Sequence, residues 1–70
     1  MKQSKLCKIC ANERAQIETD GYLLYSTDKG PCSRIWYYRH CNGNRLTIEL
    51  NLSICRMTIY KNSKVSKVVE

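Results

Sequence analysis

The stretch RIWYYRHCNGNR, residues 34–45, joins an aromatic run to an Asn-Gly pair and leads directly into LTIELNLSI, residues 46–54. Asn-Gly is a strong β-hairpin signal, because a two-residue type I′ turn needs positive φ at both central positions. The segment after the turn alternates between apolar and polar side chains, with the period of a strand. The sequence therefore predicts an antiparallel hairpin centred on Asn42-Gly43.

A two-residue loop at Asn42-Gly43 also fixes the register of the hairpin. The predicted partners are Cys41 with Asn44, Arg39 with Leu46, Tyr37 with Ile48, and Ile35 with Leu50. Side chains alternate between the two faces of a strand, so this register divides the hairpin into a core face and a second face. The core face holds Ile35, Tyr37, Leu46, Ile48 and Leu50. The second face is both aromatic and basic, with Arg34, Trp36, Tyr38, His40, Arg45 and Thr47.

The rest of the chain predicts a small β-rich miniprotein, with an α+β arrangement as a possibility. YLLYS, residues 22–26, is a short strand, and residues 11–19 are the only good helix-forming stretch, which Asp20-Gly21 ends. After Ile54 the apolar positions change from even to odd numbers, which predicts a bulge or tight turn near Cys55. Residues 1–70 form one domain, and we expect flexible basic ends at residues 1–5 and 62–70.

The charge and cysteine content indicate the class of partner and the compartment. Twelve Lys and Arg against six Asp and Glu give a net charge of +6, which favours a polyanionic partner. No apolar run reaches the roughly 18 residues of a membrane span, and the start MKQSKLCKIC lacks the apolar region of a secretory signal. Five cysteines, an odd number, favour an intracellular, cytoplasmic protein with reduced thiols. A secreted peptide with disulfide bonds is the alternative.

The spacing Cys7-x-x-Cys10 predicts half of a zinc site, because two thiolates two residues apart can bind one tetrahedral ion. Adjacent strand residues point to opposite faces, so His40 and Cys41 would share an ion only if the strand is broken there. The preferred ligands are therefore Cys7, Cys10, Cys32 and Cys41, with His40 as the alternative fourth ligand. A redox pair and metal-free buried thiols are the other interpretations of this cysteine pattern.

The second face of the hairpin predicts a nucleic-acid interface, because aromatic rings stack on bases while Arg and Lys contact phosphates. The candidate residues are Arg34, Trp36, Tyr38, Arg45, Lys61 and Lys64. The competing interpretation places Trp36 and Tyr38 in a small core beneath the N-terminal segment. No pair of carboxylates, nucleophile–histidine set or Gly-rich phosphate loop is evident, so we do not expect an enzyme.

CKIC, Ala15 and a strand ending in WYYRHC together resemble the zinc ribbons of small phage proteins that activate late transcription. Residues 20–22, DGY, with WYYRHC are also similar to WRKY-type zinc domains. The phage resemblance covers Cys7, Cys10 and Cys41, while Leu46 stands where the fourth cysteine would fall. It implies a β-rich miniprotein of zinc-ribbon type, and a zinc-binding regulator of transcription that binds DNA or RNA. The alternative is an inhibitor or adaptor that docks on an acidic protein, since exposed Trp, Tyr and Arg also make protein hot spots.

Overall fold

The computed structural model describes residues 2–70 and contains one helix and five strands. The elements are α1 (Gln3–Thr19), β1 (Leu23–Lys29), β2 (Ser33–Arg39), β3 (Arg45–Asn51), β4 (Arg56–Lys61) and β5 (Lys64–Val69). The strands form one sheet in the order β1-β2-β3-β4-β5, and every neighbouring pair is antiparallel. The prediction of a small β-rich fold is confirmed, with a helix added to it. Within residues 2–70, no helix is long and apolar enough to cross a membrane.

Helix α1 is longer than predicted and includes residues 3–5 of the N-terminal end that we expected to be flexible, whereas residue 1 of that end lies outside the described residues. Its buried side chains are Leu6, Cys10 and Ile17, which recur at helical spacing and form one stripe. Lys5 and Lys8 lie outside this stripe and are exposed. The lysines near the N-terminus, which suggested a flexible basic end at residues 1–5, therefore lie on the solvent side of an amphipathic helix.

The predicted stop at Asp20-Gly21 is confirmed, and it takes the form of a Schellman motif. The N–H of Tyr22 donates to the carbonyl of Ile17 at 3.2 Å, and the N–H of Gly21 donates to that of Glu18 at 3.1 Å. Gly21 has φ of 98°, a conformation that glycine adopts without strain. This turn directs the chain from the helix into β1.

The hairpin between β2 and β3 forms as predicted, but its register is shifted by one residue. The loop contains three residues rather than two: the N–H of His40 donates to the carbonyl of Asn44, and the N–H of Gly43 donates to that of His40. Gly43 has φ of 94°, whereas Asn42 is not in the positive-φ region. This is a type I turn followed by a left-handed residue, not a type I′ turn. The observed partners include Arg39–Arg45, Tyr38–Leu46, Trp36–Ile48 and Arg34–Leu50.

The one-residue shift exchanges the two faces of β2, so the predicted division of the hairpin is wrong for that strand. Tyr38 and Trp36 lie on the same face as Ile48 and Leu50, and Ile35 and Tyr37 lie on the opposite face. The face of β3 is as predicted, because Ile48 and Leu50 are buried. The prediction of a turn near Cys55 is also confirmed, since residues 52–55 form a turn in which Cys55 has φ of 49°.

A two-residue turn of the predicted type does occur, but between β4 and β5. Asn62 and Ser63 both have positive φ, and they place Lys61 directly opposite Lys64. Residues 64–69, which we expected to belong to a flexible end, therefore pair with β4 as strand β5. Only Asn62 and Ser63 of the predicted C-terminal end form a turn, and Glu70 follows the last strand.

The hydrophobic core lies between α1 and one face of the sheet, which we call the helix-covered face. Its buried members are Leu6, Cys10, Ile17, Tyr38, Ile48, Leu50, Met57 and Ile59. The opposite side, the open face, has no layer packed on it in the described part of the chain. It consists of Tyr25, Ile35, Tyr37, Arg39, Arg45, Thr47, Glu49, Tyr60, Val65 and Val68. The fold is therefore a two-layer α+β arrangement with one bare sheet surface.

Candidate nucleic-acid interface

The open face carries a cluster of two tyrosines and an arginine near the edge of the sheet. The rings of Tyr25 and Tyr37 lie with their centroids 6.2 Å apart, and the guanidinium of Arg39 lies 5.6 Å from the centroid of Tyr25. A bulge in β1 between Leu24 and Ser26 accompanies this placement of Tyr25. Tyr25 is 49 % exposed, so much of its ring surface faces solvent. The cluster offers flat aromatic surface next to a positive charge.

Tyr37 is held in this cluster by a hydrogen bond. Its hydroxyl donates to the Oδ2 of Asp28 at 3.1 Å. This hydrogen bond, which favours the neutral phenol, raises the pKa of Tyr37. The ring is therefore fixed in orientation and stays uncharged at neutral pH, as a surface for stacking requires.

One end of the sheet carries two pairs of opposed cations, one pair on each face, and we call this region the basic end. Arg39 stands directly opposite Arg45 on neighbouring strands, and Lys61 stands directly opposite Lys64. All four side chains are exposed. None of them belongs to the ion pairs found within residues 2–70, which join Arg14, Arg56 and Lys67 to carboxylates. The basic end is therefore a region of like charges without acidic partners.

Hydrogen bonds between loops hold the basic end together. The Oδ1 of Asn62 accepts from the backbone N–H of Arg45 at 2.9 Å, and the N–H of Asn62 donates to the carbonyl of Arg45 at 2.9 Å. The amide of Asn62 also donates to the Oδ1 of Asn44 at 3.2 Å. Because Asn62 fastens the β4–β5 turn to the β2–β3 loop, both pairs are kept at this end of the sheet. Arg39 and Arg45 lie on the open face, and Lys61 and Lys64 lie on the side of the helix-covered face.

His40, the alternative zinc ligand, has partners at both ring nitrogens. Nδ1 accepts the backbone N–H of Asn42 at 3.1 Å, and Nε2 lies 3.2 Å from the carbonyl oxygen of Asp20, to which it donates in this tautomer. The ring also packs edge-on against Tyr22, with centroids 4.9 Å apart. His40 therefore joins the β2–β3 loop to the end of the helix.

Tyr38 is not available for base stacking, which corrects the prediction that it lies on an exposed aromatic face. Its side chain is completely buried beneath α1. Its hydroxyl accepts from the Nε of Arg14 at 3.0 Å and donates to the Oε2 of Glu18 at 2.9 Å. Burial raises the pKa of Tyr38, an effect that the hydrogen bond from Arg14 opposes. Tyr38 is thus an anchor between helix and sheet, as the competing core interpretation held.

The remaining predicted nucleic-acid residues separate into two groups. Arg45, Lys61 and Lys64 lie together at the basic end. Arg34 and Trp36 lie on the helix-covered face towards the other end of the sheet, and Trp36 is half-buried beneath the guanidinium of Arg14, 4.6 Å from its ring centroid. The structure therefore places three of the six predicted residues at one end of the sheet, with Arg45 on the open face and Lys61 and Lys64 on the other side.

The four predicted zinc ligands do not converge. Cys7 and Cys10 lie on α1, Cys32 lies before β2, and Cys41 lies after β2. The seven residues of β2 separate Cys32 from Cys41 by roughly 20 Å, whereas a tetrahedral zinc site holds each sulfur about 2.3 Å from the ion. Within residues 2–70, no three His, Cys, Asp or Glu side chains are arranged to hold a metal ion. Zinc binding stays a prediction from the cysteine spacing.

Sequence reasoning missed Tyr25, Tyr37 and Arg39 as candidate site residues, because the predicted register placed Tyr37 in the core. The register that the three-residue loop sets places Tyr37 and Arg39 on the open face, where Arg45 also lies. The two-residue loop that we predicted would have placed them on the core face. Comparison of the chain with protein families, with curated proteins and with solved structures gives no match. The candidate site therefore rests on geometry and charge.

Proposed function

We propose that this protein binds single-stranded nucleic acid, with its phosphates at the basic end and its bases on the tyrosines of the open face. The observation that carries the proposal is the pairing of Arg39 with Arg45 and of Lys61 with Lys64 at one end of the sheet. Like charges directly opposite each other destabilise a sheet. A bound polyanion removes that repulsion, so the arrangement fits a phosphate backbone.

The open face supports a single strand as the ligand rather than a duplex. Tyr25 and Tyr37 present ring surface beside Arg39, and Tyr60 lies two strands away from Tyr37 in the same cross-strand row. Stacking on aromatic rings requires unpaired bases, which a single strand supplies. Stacking and phosphate contact would then occur side by side.

Fluorescence anisotropy with labelled oligo(dT) and oligo(rU) tests the proposal. We expect the logarithm of the binding constant to fall with the logarithm of salt concentration with a slope of roughly −0.7 for each phosphate contact. In the double variant Arg39→Ala/Arg45→Ala the slope should become shallower by about 1.4. Comparison of the two oligonucleotides decides between DNA and RNA.

The matched control is Lys5→Ala/Lys8→Ala, which removes the same charge from the exposed side of α1. If binding depends on net charge alone, the two double variants will weaken it equally, and the proposed interface will be wrong. Tyr25→Ala separates stacking from charge: we expect about a 5- to 150-fold loss of affinity with an unchanged salt slope.

A second candidate function is docking on an acidic protein, and exposed apolar side chains on both edge strands favour it. Leu23 on β1 is 70 % exposed and Val65 on β5 is 61 % exposed, so each edge strand presents apolar surface to solvent. A strand edge of this kind can add a strand from a partner. Binding to that partner would be weakened by Leu23→Lys or Val65→Lys, while competing oligonucleotide would leave it unchanged.

The sequence resemblance adds finer proposals that geometry does not address: a zinc-ribbon type, a bound zinc ion and a phage-type role in transcription. Cys7 and Cys10 are the nearest pair for a metal, since both line one pocket. Native mass spectrometry of the reduced protein with and without a chelator tests zinc. We also propose a cytoplasmic location, which is consistent with five cysteines as free thiols.

A further inference from the structure

A pocket of about 320 Å³ opens between α1 and the helix-covered face, at the end of the sheet away from the basic end. Its apolar part consists of Trp36, Leu50 and Leu52, and its polar part includes Arg14 and Arg34. Two thiols complete the lining, from the exposed Cys7 and the buried Cys10. The volume is near the lower limit of about 300 Å³ for small-molecule sites, so the pocket suits one compact ring system.

Trp36 divides this pocket from a second cavity of about 150 Å³ on the side of β1. Arg34 lines both cavities, and Lys29 lines the smaller one. Lys29 and Arg34 face each other directly on neighbouring strands, and neither belongs to an ion pair in the described residues. A third pair of opposed cations therefore lies beside Trp36, with Arg34 lining both cavities and Lys29 the smaller one.

The charge around the larger pocket is positive. No Asp or Glu lines it, and Asp28 is the one carboxylate that lines the smaller cavity. Arg14 uses its Nε for the hydroxyl of Tyr38, and its terminal nitrogen is 3.9 Å from Glu18. Arg34 has no such partner, so its planar guanidinium is available for the two parallel hydrogen bonds that it forms with carboxylate or phosphate.

We propose that this pocket binds a small aromatic anion, a single planar ring system that carries one phosphate or carboxylate group. The ring lies against Trp36 and Leu50, and the anionic group lies on Arg34 with Lys29 beside it. A cation is repelled by this lining, and a neutral ring leaves the opposed cations without a counter-charge. The proposal is independent of the open face, because the pocket lies on the other side of the sheet.

The fluorescence of Trp36, the single tryptophan of the chain, reports occupancy of the pocket. AMP and benzoate represent the phosphate and carboxylate forms of the ligand, and adenosine and inorganic phosphate supply the ring and the anion separately. We expect saturable quenching by AMP, by benzoate or by both, and affinity at least tenfold weaker for adenosine and for phosphate. Equal affinity for AMP and adenosine would overturn the assignment of the anionic group to Arg34.

Alkylation of Cys7 gives a second readout within the same pocket. The bound anion should slow the reaction of Cys7 with iodoacetamide, while the exposed thiols of Cys32 and Cys41 react at an unchanged rate. Arg34→Gln should weaken the anion about tenfold or more and abolish the protection, whereas Lys5→Gln, which removes the same charge from α1, should change neither. Absence of saturable quenching, or protection of all exposed cysteines alike, would overturn the proposal.

Discussion

The two faces of the sheet differ in what their alternating side chains do. On the helix-covered face, Tyr38, Ile48 and Met57 are completely buried, and every polar atom among the buried side chains of residues 2–70 has a hydrogen-bond partner. On the open face, Tyr25 and Val65 are about half-exposed or more. The described residues, 2–70, supply one helix to cover the sheet, so only one face can become core. The other face is available for binding.

The comparison predicts that apolar truncations have large effects on one face and small effects on the other. Ile48→Ala on the helix-covered face should lower the free energy of unfolding by about 2–5 kcal/mol, because it leaves a cavity in the core. Val65→Ala on the open face should change it by less than about 0.5 kcal/mol. Urea denaturation of both variants measures the difference.

If Ile48→Ala and Val65→Ala lower the free energy of unfolding by similar amounts, the open face is covered in solution, for example by a second copy of the chain. Repeating the measurement at several protein concentrations separates that case, since association makes apparent stability depend on concentration.

Two adjacent tyrosines sharpen the comparison with a smaller expected effect. Tyr38→Phe removes the hydroxyl that joins Arg14 to Glu18 beneath the helix, and we expect a loss of about 1–2 kcal/mol. Tyr37→Phe removes a hydrogen bond to Asp28 at the exposed surface, and its effect should remain within about 0.5 kcal/mol. Thermal unfolding of the two variants under one set of conditions gives the comparison. If Tyr37→Phe lowers the thermal stability more than Tyr38→Phe does, then Tyr37 and not Tyr38 lies on the face that forms the core.

Much of this fold could be predicted from local patterns. The alternation of residues 46–50, the stop at Gly21 and the turn near Cys55 each depend on side chains or backbone preferences within a few positions. The register of the hairpin could not be predicted, because Asn42-Gly43 fits both a two-residue and a three-residue loop. In the longer loop only Gly43 needs positive φ, and the ladder shifts by one residue.

The one-residue shift of the register explains why the predicted site differs from the candidate site. A shift by one residue moves every side chain of a strand to the other face, so Tyr38 became core while Tyr37 and Arg39 became exposed. The zinc prediction depended on Cys32 and Cys41 meeting, but the strand predicted between them already separates the two thiols, as β2 does in the structure. The cations at Lys61 and Lys64 were identified from the sequence, but their direct opposition depends on β5, which the polar tail did not indicate.

Alkaline pH should affect the helix-covered face through Cys10. Burial raises the pKa of this thiol from 9.0 to about 11. Because the folded state retains the proton more strongly than the unfolded state, the stabilisation is complete below pH 9 and is lost as pH rises towards 11. When the free energy of unfolding is measured between these pH values, it should fall more for the wild type than for Cys10→Ala, which lacks the thiol.

Cys7→Ala is the control for this measurement, because Cys7 is exposed and one turn away on the same helix. It should lose stability with pH as the wild type does, since the other titrating groups are common to all three proteins. Equal pH profiles for Cys10→Ala and Cys7→Ala would mean that the thiol of Cys10 is not protected by burial in solution.

The smallest predicted effect tests the repulsion at the basic end. Arg45→Thr removes one of two opposed guanidinium groups and introduces a residue that favours strands, so it should raise the free energy of unfolding by roughly 0.2–1 kcal/mol. Arg56→Thr is the matched control on β4, where Arg56 forms an ion pair with Glu70 at 3.3 Å and faces Asn51. It should give no such gain.

The gain for Arg45→Thr should also diminish at high salt, because mobile ions screen exposed charges beyond about 10 Å at 0.1 M and more closely as salt rises. A strand propensity effect would persist in salt, so the salt dependence separates the two causes. If Arg45→Thr is neutral or destabilising at low salt, Arg39 and Arg45 do not repel each other appreciably. The opposed cations would then give no reason to expect a polyanion at this end of the sheet, and docking through the exposed strand edges would become the better-supported function.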